Sequence, residues 1–73
     1  MTRKQQFMSD FDSNKDRKTL WVSVTVPDCP ELEVISNPRE NFSSKKDYYD
    51  KAYDDNLILK ANPGIRIISW LFT

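Results

Sequence analysis

Residues 44–71 constrain this chain more than any other stretch: an amphipathic helical pattern, a hard stop, then a run apolar on both faces. At ~100° per residue, Tyr48, Tyr49, Ala52, Tyr53, Leu57 and Leu59 share one arc, with Asp47, Asp50, Lys51, Asp54 and Asp55 opposite. Ser44, with Asp47 three residues on, reads as a variant capping box that starts the helix. Asn62-Pro63-Gly64 ends it, because proline disfavours helix at Asn62 and glycine tolerates a positive φ. In residues 65–72, Ile65, Ile67 and Leu71 point one way and Ile68, Trp70 and Phe72 the other. Such a strand expects cover on both faces.

Upstream, Leu20, Val22, Val24 and Val26 alternate with Trp21, Ser23 and Thr25, which reads as a strand with the first set inward. Pro27-Asp28-Cys29-Pro30 breaks it. Residues 31–35 read as a second, shorter strand with Leu32 and Val34 inward, ended by Ser36-Asn37-Pro38. Residues 1–19 read as a polar arm carrying Phe7, Met8 and Phe11, flexible or partly docked, with a short strand as the other option. The expected fold is α+β: a ββαβ domain over residues 20–73, its hairpin and C-terminal strand forming a three-stranded sheet on one helix. A right-handed crossover sets the last strand beside the first and parallel to the second.

Seventy-three residues make a thin core that buries only about 60% of the unfolded surface. Cys29 is the only cysteine and histidine is absent, so neither an intrachain disulfide nor a nitrogen–sulfur zinc site is available. The polar N-terminus lacks the apolar core of a signal peptide, and no apolar run approaches the ~20 residues of a membrane span. The reading is therefore a cytoplasmic protein with no membrane partner.

One helix leaves one sheet face uncovered, and Trp21, Ile35, Ile68, Trp70 and Phe72 are expected on it. Large exposed apolar patches mark interaction sites, and tryptophan is enriched at their centres. The competing reading is that Phe7, Met8 and Phe11 fold back over this face; a second copy of the chain is a further option. Asp47, Asp50, Asp54 and Asp55 form an acidic stripe that a basic partner surface would complement, although solvent-facing helix sides are normally charged. Tyr48, Tyr49 and Tyr53 fit the rim of a core better than a base-stacking platform.

Lysine plus arginine and aspartate plus glutamate each total 11, so the net charge is zero, which argues against binding driven by phosphate neutralisation. A basic arm of Arg3, Lys4, Lys15, Arg17 and Lys18 keeps a nucleic-acid-binding regulator as an alternative, alongside a self-associating virion or assembly component. The run from Asp10 to Asp16 has oxygen ligands at alternate positions, as an EF-hand loop begins. Lys15 stands where that loop needs glycine, and Trp21 where it needs glutamate. With no histidine base, no activated serine or cysteine and a single glycine, neither an enzyme nor a bound cofactor is expected.

Asn37-Pro38, Asn41-Phe42, Tyr48-Tyr49, Ala52-Tyr53-Asp54, Asn56-Leu57, Leu59-Lys60, Ile65 and Ile67 give residues 37–70 a pattern that resembles small accessory proteins encoded by bacteriophages and prophages. The resemblance implies a protein acting in the host cytoplasm by binding a host enzyme or defence complex, as an inhibitor or modulator. No target and no catalytic residue carry over with it.

Overall fold

A computed structural model describes all 73 residues. The elements run α1 (Arg3–Ser13), β1 (Thr19–Thr25), β2 (Glu33–Pro38), a 3-10 turn (Arg39–Asn41), α2 (Phe42–Ala52) and β3 (Arg66–Phe72). The sheet has the order β2-β1-β3, with β1 antiparallel to both neighbours. The α+β class, the three strands and the placement of β3 beside β1 and parallel to β2 match the sequence reading.

The arm is a helix, which corrects the first expectation. Thr2 caps α1: its hydroxyl accepts from Gln5 N–H at 3.1 Å, and Gln5 Oε1 accepts from Thr2 N–H at 2.8 Å. This reciprocal box satisfies two of the donors that a helix start leaves free. Phe7 and Phe11 lie one turn apart on the same face and are buried, with Met8 packed beside them. Asn14 closes the helix, donating through its side chain to Asp10 O at 2.8 Å.

The second helix is displaced and shorter than expected. It begins at Phe42, and Ser44 Oγ donates back to Asn41 O at 3.1 Å instead of capping. It ends at Ala52, after which Tyr53 is extended and bridges Leu59. Between them, Asp54 Oδ1 accepts from Asn56 N–H at 2.8 Å and Ile58 N–H at 3.0 Å. An aspartate that bonds the backbone ahead of it builds a turn and competes with helix. Leu57 closes this turn at φ 60°, a left-handed conformation that leucine rarely adopts, and is fully buried. Core burial of Leu57 offsets the strain, since both terms are of order 1–3 kcal/mol.

Gly64 does not take a positive φ, contrary to the sequence reading. A Cβ there would lie 2.7 Å from Pro27 Cγ, so close approach of two loops is what needs glycine. The positive φ falls instead on Asp28, at 61°, within the turn closed by Cys29 N–H on Val26 O.

Both helices cover one face of the sheet. Phe7, Phe11, Phe42, Tyr49, Tyr53 and Leu57 meet Leu20, Val22, Val24 and Ile67 in a single cluster. The aromatic rings pack tilted or edge-on, as their quadrupoles prefer: Phe7 to Trp70 at 4.7 Å and Phe11 to Phe72 at 5.4 Å between centroids.

Candidate interaction surface

The face opposite the helices is made by β-strand alternation. Residues paired across antiparallel strands project to the same side, so the Trp21–Leu71, Trp21–Ser36, Ser23–Ser69, Ser23–Val34 and Thr25–Arg66 pairs share the helix-free face. Trp21 is 42% exposed, Leu71 60% and Val34 60%. The Trp21 indole N–H donates to Thr73 Oγ1 at 3.1 Å, which holds the ring over the end of β3. Around these apolar side chains the face is serine and threonine, and Arg66 is its only charged residue in these pairs.

Of the five apolar residues expected on this face, only Trp21 lies on it. The register shifts between Ser23 and Val24, so that Ser23 pairs with Ser69 and Val24 with Ile67, leaving Ile68 unpaired. A bulge of one residue reverses the parity of everything beyond it. Trp70 and Phe72 therefore turn to the helix side, beside Val22 and Leu20. Trp70 is fixed there by Phe7, by its N–H donating to Asp10 Oδ2 at 2.8 Å, and by the Arg3 guanidinium 5.3 Å from its ring. The back-folding arm thus accounts for Trp70 and Phe72, and the open face belongs to Trp21, Leu71 and Val34.

Ile35 pairs with Val22 and so points to the helix side, at the outer margin where it stays 41% exposed. Val34, expected inward, points outward for the same reason, and Leu32 lies outside the strand, exposed. Asn37 is the one buried polar residue; its Nδ2 donates to Leu20 O at 3.4 Å, and its Oδ1 has no partner. The sequence reading missed this residue by taking Ser36-Asn37-Pro38 as a strand end.

The acidic stripe does not form one surface. Asp47 and Asp50 lie on α2, whereas Asp54 is spent on its turn. Asp50 and Asp55 converge on Lys4, at 3.8 and 4.0 Å. Lys4 Nζ also donates to the carbonyls of Asp50 and Tyr53 at 3.0 Å each, an N-terminal lysine closing the C-terminal end of α2. The basic arm is divided as well. Arg3 and Lys4 start α1, and Lys15, Arg17 and Lys18 follow its other end, about 16 Å away along an 11-residue helix.

Three side chains have displaced proton affinities, each with a structural cause. A hydrogen bond from Lys46 at 2.8 Å holds the Asp12 carboxyl below its ordinary range. Burial pushes the Tyr49 phenol up, partly offset by the Asn37 side chain beside it. Burial pushes Tyr53 up to about 12, with Tyr48 and Tyr49 adding to the shift. Cys29 is free and exposed, and no three side chains among cysteine, aspartate and glutamate converge as a metal site. No helix is long and apolar enough to cross a membrane. The chain matches no family model, no curated protein and no solved structure.

Proposed function

We propose that this protein is a non-catalytic protein-binding module whose contact surface is the helix-free face of its sheet. The observation that carries this reading is the Trp21–Leu71 cross-strand pair, two large side chains held in the open on a rigid sheet. Residues built on strands present a fixed surface, and apolar anchors ringed by small polar side chains suit a desolvated protein contact. With Arg66 the only charge among its strand pairs, the face suits an uncharged protein surface better than a phosphate. Together with the phage-like pattern of residues 37–70, the reading becomes a phage-encoded inhibitor or modulator working in the host cytoplasm on a bacterial enzyme or defence complex.

The test is a tagged pull-down from bacterial lysate with mass spectrometry, comparing wild type with Trp21→Asp and Leu71→Asp. Leu71 is 60% exposed, so the melt of Leu71→Asp should match wild type; Trp21→Asp also loses the Thr73 hydrogen bond and is scored only where circular dichroism and a cooperative melt show it folded. One host protein retained by wild type and lost in both variants supports the reading, and an empty capture with folded wild type removes it.

A further inference from the structure

The two edges of the sheet are treated differently. The outer edge of β3 is closed by the chain itself over Arg66 to Ile68, while beyond the bulge Trp70 and Phe72 turn their N–H and C=O groups outward. Ile67 N–H donates to Leu57 O at 3.0 Å, Arg66 bridges Ile58, and Arg3 Nη2 donates to Ile68 O at 2.7 Å and Ile67 O at 3.4 Å. The bulge at Ile68 further disrupts that edge. No such contact reaches β2 from its outer side, and Glu33 to Ser36 are exposed throughout.

The direction of its free groups follows from the ladder. Arg39 N–H donates to Lys18 O at 2.9 Å, which continues the β1–β2 pairing by one step. Bonded and non-bonded pairs alternate in an antiparallel ladder, so Glu33, Ile35 and Asn37 bond β1. Val34 and Ser36 turn their N–H and C=O groups outward. The devices that blunt an edge are missing between them: no lysine, no bulge, and a proline only at the last position, Pro38.

We propose that β2 is a dimerisation edge, at which two copies of this chain pair antiparallel and fuse their sheets into one of six strands. The charge along β2 selects a second copy in this orientation. Glu31 and Glu33 stand at its start; Lys18, Arg39 and Glu40 stand at its end, where the Arg39 guanidinium also holds the Asp16 and Arg17 carbonyls, so antiparallel pairing sets each acidic end against the net basic end of the other copy. Centred on Ile35, the pairing joins Val34 and Ser36 of one copy to Ser36 and Val34 of the other by four backbone bonds. It also sets the two half-exposed Ile35 side chains together and brings Glu31 near Arg39. The two-fold axis runs through the sheet, so all four helices stay on one side and the two Trp21–Leu71 faces become continuous. Zero net charge leaves no general repulsion to overcome. The edge is small beside the roughly 800 Å² per partner of a stable interface, so association depends on concentration.

Sedimentation velocity over a concentration series should show a reversible shift from 8.6 kDa to twice that mass. Amide exchange read by NMR should slow at least tenfold at Val34 and Ser36 as the dimer fills. Ser36→Pro removes an outward N–H without touching the β1 ladder, and should raise the dimer Kd at least tenfold with an unchanged melt. Val34→Lys should do the same. A monomer at every concentration overturns the proposal. So does association that survives Ser36→Pro: its loss in Trp21→Asp would place the contact on the sheet face, and its persistence there would place it elsewhere, as at the outer edge of β3. Protection of the Val34 and Ser36 amides only on adding lysate would assign the edge to another protein, also against it. Host-protein capture is scored separately with the Trp21→Asp and Leu71→Asp pair.

Discussion

Leu57 shows how a single side chain is held against its own backbone preference. It is fully buried at φ 60°, and the turn that places it there is tied by Asp54. Leu57→Ala should cost about 2–5 kcal/mol in urea unfolding, because it empties a core position that the turn cannot close over. Asp54→Ala should cost about 1–2 kcal/mol by freeing two turn N–H groups. Leu71→Ala, on the open face, should stay within about 0.5 kcal/mol of wild type. Tyr53 adds a pH dependence of its own. Its folded value of about 12 lies above the ordinary 10.0, so the neutral phenol stabilises the fold fully below about pH 10. That contribution fades as pH rises through about 12. Absorbance titration of tyrosinate should show a component near 12 that Tyr53→Phe removes, and urea midpoints should fall across the same window.

At the scale of elements, α1 is the piece on which the core depends and the one that composition hides. Its mean hydropathy is low because polar residues surround Phe7 and Phe11, so it reads as an arm. Two local signals nevertheless mark it: the Thr2–Gln5 capping box and the one-turn spacing of Phe7 and Phe11. Removing residues 2–13 should abolish cooperative unfolding, since it uncovers Trp70, Phe72 and Val22 together. Thr2→Ala should cost about 1 kcal/mol through the cap alone. The strands β1 and β3 were legible because their β-branched and aromatic runs are bounded by prolines, Pro27 after β1 and Pro63 before β3. The end of α2 was not, because Tyr53, Leu57 and Leu59 continue a helical period by coincidence, while Asp54-Asp55-Asn56 is the turn that interrupts it.

For the whole molecule, the consequence of placing both helices on one face is a protein with a covered side and an open side. The open face and the open β2 edge meet at Val34, so the surfaces proposed for partner binding and for self-association are adjacent. If both operate, dimerisation doubles the presented face, and Ser36→Pro should weaken capture of a multivalent target while leaving one-to-one binding intact. Isothermal titration against a host protein captured in the pull-down, with and without Ser36→Pro, separates the two.

By itself the sequence determined the class of the fold, the strand order and the presence of more apolar surface than one helix can cover. These follow from alternation, from proline breaks and from the short connections available to a small chain. Which apolar residues remain in the open was decided by the tertiary structure. One unpaired residue at Ile68 reverses the facing of Trp70 and Phe72, and that choice depends on pairing to β1 and on docking of α1 from the far end of the chain. A one-residue slip leaves local propensity unchanged but moves every side chain beyond it to the other face, so only the assembled core could select it.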